Sequence, residues 1–105
     1  MRETLEIFIQ NLKDREFAQA HENMEAQWKI YKREANPITK LLKGFINGAT
    51  AFELVRRGKM DGAVMLWGTY EKYLPLLQND IEEYTLFKEA DKILQEYKNE
   101  PSYKR

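Results

Sequence analysis

Between Leu41 and Val55 the only charged residues are Lys43 and Glu53. Wound at the helical period, that stretch is apolar on almost every side, which predicts a helix in the middle of a bundle rather than on its surface. Its polar residues Lys43, Asn47 and Thr50 fall at i, i+4 and i+7 and mark one narrow strip. Gly44, Gly48, Ala51 and Val55 recur in the same way on another side and form a small-residue groove. Such a groove admits a close neighbour and accounts for two glycines that each cost roughly 1 kcal/mol of helix propensity. Phe45, Ala49 and Phe52 are therefore expected deep in the core.

The flanking segments carry ordinary one-sided stripes. Leu5, Phe8, Ile9 and Leu12 predict a short first helix from about Glu3 to Leu12. A charged corner follows, Lys13 to Glu16, with Asp14 expected to cap the second helix. That helix runs to about Lys32, its stripe formed by Phe17, Ala20, His21, Met24, Trp28 and Tyr31, with Glu25 at the edge. Asn36-Pro37 predicts the start of the central helix, which ends at Arg57 with Gly58 as its left-handed stop. Met60, Ala63, Val64, Trp67, Tyr70, Leu74 and Leu77 then predict a fourth helix, antiparallel to the third because the turn is so short. Pro75 should kink or end it. Asp80 with Glu83 matches a capping box ahead of a fifth stripe, Tyr84, Phe87, Ala90, Leu94 and Tyr97. Residues 99–105 read as a frayed tail behind a single domain over 1–98. No strand pattern is present. The expected fold is all-α, a compact bundle of about five helices built from antiparallel hairpins.

Composition narrows the function classes. The 105 residues suit one domain, large enough to bury somewhat over ~60% of its unfolded surface. Lys plus Arg and Asp plus Glu both number 17, with the signs interspersed, so nucleic acid is a disfavoured partner. The chain has no cysteine, which excludes disulfides, thiolate zinc sites and thiol nucleophiles. Its single histidine excludes any site needing two imidazoles. Glu3 and Glu6 interrupt the first apolar run, which is too short to cross a bilayer. No membrane partner and a cytoplasmic location are expected.

Phe17-x-x-Ala20-x-x-x-Met24 recurs in spacing as Met60-x-x-Ala63-x-x-x-Trp67, each at the start of a hairpin's second helix. With Gly58, Ala63, Trp67 and Pro75 the second hairpin is also weakly similar to the tetratricopeptide consensus, although two hairpins are too few for a solenoid. A more specific likeness comes from two motifs together. Phe17-x-x-Ala20-His21-Glu22-x-x-Glu25-x-x-Trp28 is followed by Gly44, Ile46, Ala49, Arg57-Gly58 and Gly62-Ala63. From Phe8 to Leu74 the chain resembles domain of unknown function family 309, whose members are small all-helical prokaryotic proteins. The resemblance implies a helical, cytoplasmic protein and brings no activity with it. Arg15 stands where that family usually has a turn glycine, and Asn47 where it usually has glutamine.

One constellation has the residue types for chemistry. His21 and Glu25 lie four apart and share a helix face, while Glu22 points about 100° away. His-Glu-x-x-Glu lacks the second histidine of the zinc-protease motif, so that reading fails. The candidate polar cluster is His21, Glu22 and Glu25, with Asn47 and Arg57 of the central helix expected to complete it. A structural role as a satisfied imidazole–carboxylate pair is weighed first. A metal or acidic-metabolite site, or a general base, is the rival. No cofactor-binding residue is recognised, and neither a metal nor a catalytic role is assigned. Trp28 and Trp67 are expected in the core rather than in a ligand cage. Lys40, Lys43, Arg56, Arg57 and Lys59 bracket the central helix, and the positive charge at its C-terminal end complements the helix dipole.

The leading expectation is a structural or protein-interaction module that meets a protein partner or itself. A rim of Tyr70, Tyr73, Tyr84 and Tyr103 and four methionines would supply the contacts. The alternative is a metal- or small-anion-binding protein or a hydrolase-like enzyme centred on His21 and Glu25, enzymatic activity being left open with the weight against it.

Overall fold

Residues 1–100, which the computed structural model describes, form α1 (Arg2–Lys13), α2 (Phe17–Arg33), α3 (Thr39–Arg56), α4 (Met60–Tyr73) and α5 (Tyr84–Lys98), with no strand among them. A 3-10 turn at Leu74–Leu76 closes α4, with Pro75 inside it. The fold is an all-α bundle, and α3 is its hub: α2, α4 and α5 all pack on it, while α1 bridges α2 and α5. Phe45, Ala49 and Phe52 are 0%, 0% and 5% exposed, so the apolar stretch is enclosed as its pattern required.

Two aromatic clusters grow from α3. Phe45 lies 5.2 Å from Tyr70, 5.3 Å from Phe87 and 6.3 Å from Phe8, gathering α4, α5 and α1. Two turns on, Phe52 lies 5.5 Å from Trp67, 5.6 Å from Phe17 and 5.8 Å from Tyr97. Most of these rings meet edge to face, the arrangement that aromatic quadrupoles favour. Buried hydroxyls still need partners. Tyr97 donates to the Leu12 carbonyl at 2.6 Å, and Tyr70 donates to Asp91 at 2.5 Å. Burial first, then the Asp91 carboxylate, pushes the Tyr70 phenol far above its ordinary pKa.

The small-residue groove has the predicted role. A Cβ added to Gly44 would sit 3.0 Å from the Cβ of Tyr73, and one added to Gly48 would sit 3.2 Å from the Tyr70 ring and from Leu94. Neither Tyr73 Cβ nor the enclosed Tyr70 ring can swing aside, so α4 lies against the backbone of α3 only because side chains are missing there.

Several local expectations are corrected. Asp14 does not cap α2; it ends α1 and takes the Gln10 side-chain amide, while the N-cap position of α2 is Glu16. Asn36 does turn the chain, accepting the Ile38 N–H on its side chain, but α3 itself begins at Thr39. The capping box is absent. Glu83 is the N-cap residue of α5, held at φ 66° without a side-chain cap. Gly58, at φ 75°, ends the third helix as expected. Arg15, in the place of the family's turn glycine, adopts the same left-handed region at φ 56°. Its guanidinium packs 4.4 Å from the Tyr97 ring centre and binds Glu100 at 2.6 and 3.1 Å. Of the predicted tail, Asn99 closes α5 and Glu100 takes Arg15; 101–105 lie outside the described residues.

Candidate functional site

The seam between α2 and α3 is the polar one. Helical periodicity puts His21 and Glu25 on one side of α2, and the strip on α3 supplies Thr50 opposite. His21 Nε2 meets Glu25 at 3.0 Å and Nδ1 meets the Thr50 hydroxyl at 2.5 Å. Thr50 is also 2.9 Å from the Ile46 carbonyl, a donor's distance. This arrangement serves both protonation states of the ring. A neutral imidazole donates from Nε2 to Glu25 and accepts the Thr50 proton at Nδ1. An imidazolium donates from both nitrogens, and Thr50 turns its proton to Ile46. Either way both ring nitrogens and the Thr50 hydroxyl keep a partner, and orphaning a buried one would cost about 1–3 kcal/mol.

Glu53, one turn further along α3, is the buried charged residue of the described chain, 6% exposed. Arg57 donates to it at 2.8 Å and Arg56 at 2.5 and 3.1 Å. The Arg56 guanidinium, and then that of Arg57, holds the Glu53 carboxyl below its usual pKa against the opposing effect of burial. The His21 hydrogen bond does the same for Glu25, with Lys29, 3.6 Å away, adding a smaller effect. Between the two helices runs a groove of about 310 Å³, lined by His21, Glu22, Glu25, Thr50, Glu53 and Arg57, with Ala18 and Leu54 as its apolar edge. That volume sits at the lower end of small-ligand sites.

Of the five predicted cluster residues, the fold brings together His21, Glu25 and Arg57, the last through Glu53. Glu22 stays exposed at the groove's rim. Asn47 is left out, and register is the reason. With His21 against Thr50 and Trp28 beneath Lys43 (4.6 Å from ring centre to Nζ), the antiparallel helices set Asn47 opposite Met24, which is fully buried. The sequence reading missed Thr50 and Glu53 as members. Both had a signal: Thr50 ends the polar strip, and Glu53 is an acid in an apolar helix with arginines three and four residues later. Among the described residues, no group of three or more His, Asp or Glu side chains is placed to hold a metal ion.

A second surface is left open by the fold. α4 is an edge helix, its main contact being α3. Its inner face buries Ala63, Trp67 and Tyr70, while Val64 and Met65 are 59% and 71% exposed. Val64 was expected in the stripe; it lies roughly 100° off the Ala63–Trp67–Tyr70 row and faces outward. The predicted tyrosine rim is also corrected. Tyr70 is fully buried, Tyr73 and Tyr84 are half-buried, and Tyr103 lies outside the described residues. Of the methionines, Met65 alone is fully outward: Met24 is buried, and Met1 and Met60 are half-buried. Trp67 is core, whereas Trp28 is half-buried under Lys32 and Lys43.

A family model described as a domain of unknown function (DUF309) matches residues 5–66, more than half of the chain. The chain belongs to that family. The match takes in most of α1, all of α2 and α3 and the first half of α4, and therefore both walls of the polar groove; α5 lies beyond it. No curated protein and no solved structure shows a significant match to the chain. No helix among the described residues is long and apolar enough to cross a membrane.

Proposed function

We propose that this protein is a small helical interaction module, with the outer face of α4 as its contact surface and the His21 cluster as an internal clasp. The observation that carries this reading is the pair Val64 and Met65, more than half exposed on a helix whose other side is sealed against α3. Exposed single apolar residues are ordinary. Two adjacent large ones on an edge helix, one of them an adaptable methionine, suit a protein contact. A cytoplasmic location accords with a cysteine-free chain and is part of the same proposal.

The saturation of the polar groove supports the internal-clasp half. Both His21 nitrogens, the Glu53 carboxylate and the Arg57 Nε already have partners inside the fold. A general base needs a lone pair directed at substrate, and here the ring would have to abandon Thr50 or Glu25 to offer one. One observation favours a ligand site instead: the groove opens onto both His21 and Glu25. Its lining of three carboxylates against one guanidinium then suits a cationic group such as an amine better than an acidic metabolite.

Photo-cross-linking in cells tests the interaction reading. A photoreactive residue replacing Met65 is expected to give a covalent protein adduct, and the same residue at exposed Lys92 on α5 is expected to give none. Absence of any adduct at position 65 overturns the reading. Heat released on titrating simple alkylamines into the protein, abolished by Glu25→Gln, would favour the ligand site.

A further inference from the structure

Asp61, Met65, Gly68 and Lys72 recur along α4 at spacings of four, three and four, and all four are exposed. This row lies opposite the buried Ala63–Trp67–Tyr70 face and has the spacing of a helix-pairing seam. Its centre pairs a large apolar residue, Met65, with a glycine, and its ends carry opposite charges. Among the described residues, neither Asp61 nor Lys72 has an ion-pair partner. Gly68 has no local justification: a Cβ added there would meet nothing within 4 Å. Yet glycine inside a helix costs roughly 1 kcal/mol relative to alanine. Unlike Gly44 and Gly48, it makes room for nothing in its own chain.

Spacings of four, three and four read the same in both directions. A two-fold axis passing beside α4 between Leu66 and Trp67 therefore maps the row onto itself with the helices antiparallel. Asp61 then faces Lys72 of the second copy, Met65 faces Gly68 of the second copy, and each contact occurs twice. We propose that the occupant of this face is a second copy of the same chain, paired α4 to α4 across that axis. The inference rests on the interaction reading and names its partner. The row meets what an isologous interface requires, a patch complementary to itself. Val64 flanks the seam and adds apolar contact, and the missing side chain at Gly68 leaves a hollow for the Met65 thioether. With only 14 residues in α4, the paired surface is small, so the dimer is weak and salt-sensitive.

Sedimentation equilibrium of the full chain at low ionic strength is the test, with far-UV circular dichroism confirming that each variant stays folded. The wild type is expected to dimerise in the micromolar to millimolar range. D61K and K72D each put two like-charge contacts in the seam and should weaken dimerisation about tenfold; the double variant D61K/K72D should restore it. A wild type that stays monomeric up to about a millimolar overturns the proposal, as does a dimer indifferent to the reversals or not rescued by the double change. A monomer that still forms an adduct to a different protein at position 65 overturns self-pairing and leaves the interaction reading standing. Loss of every adduct at position 65 ends both.

Discussion

The central helix meets its neighbours in two opposite ways. Toward α4 the seam is dry and close: Gly44 and Gly48 bring Tyr73 and Tyr70 down onto the α3 backbone. Toward α2 it carries polar groups: His21, Glu25 and Thr50 clasp the helices while Lys43 covers Trp28. The dry seam gains from dispersion and burial, which are large and tolerate no intruding atom. The polar seam gains little net energy, since its hydrogen bonds replace hydrogen bonds to water. What it contributes is register, because a one-turn slip would part His21 Nδ1 from the Thr50 hydroxyl. Stability and alignment are thus divided between two sides of one helix.

The largest effect should come from filling the dry seam. Gly48→Val is expected to lower unfolding free energy by about 3 kcal/mol in urea titration, since overpacking with no escape costs roughly 1–3 kcal/mol or more. A loss under about 1 kcal/mol would show that α4 can retreat and that the contrast between the seams is overstated.

Glu53→Gln probes the charged end of the polar seam, with an expected cost of about 1–2 kcal/mol at neutral pH. Its pH dependence has a definite sign. Glu53, Glu25 and Glu100 are all held below the usual carboxylate pKa by a hydrogen bond from Arg56, His21 and Arg15 respectively. Stability from a lowered carboxyl is complete above its unfolded value, about 4.3, and disappears as pH falls through the folded one. The gap in melting temperature between wild type and Glu53→Gln should therefore be constant from about pH 7 to 5 and close below about pH 4. A gap that widens in acid would contradict the assignment.

The smallest effect belongs to the clasp itself. His21→Ala and Thr50→Val should each cost about 1 kcal/mol and leave the helical circular dichroism unchanged, and a double-mutant cycle should show a coupling of about 0.5–1 kcal/mol. Additive costs would mean that the two side chains stabilise the seam independently.

Corners show where sequence reading loses resolution. The helices were legible because burial imposes a 3.6-residue period over many positions, so one misplaced residue such as Val64 does not hide the stripe. Helix starts depend on single residues: Asp14 and Asp80 had the chemistry of caps, yet the chain turned through left-handed Arg15, Ala35 and Glu83 instead. A non-glycine residue in that region costs of order 1 kcal/mol. At Arg15 the contacts with Tyr97 and Glu100 offset that cost, and both partners are more than 80 residues away in sequence. No local pattern could announce them.

Local composition by itself determined that this chain is helical, that Leu41 to Val55 is its axis, and that glycines on that axis mark a close neighbour. These are properties of which side chains water rejects and at what period they recur. Tertiary structure alone decided that Thr50 rather than Asn47 closes the histidine clasp, that Glu53 is the buried acid, and that Val64 and Met65 face outward. Those outcomes depend on the relative rotation and slide of packed helices. That registry is set by the summed contacts of every neighbour at once, and no single helix encodes it.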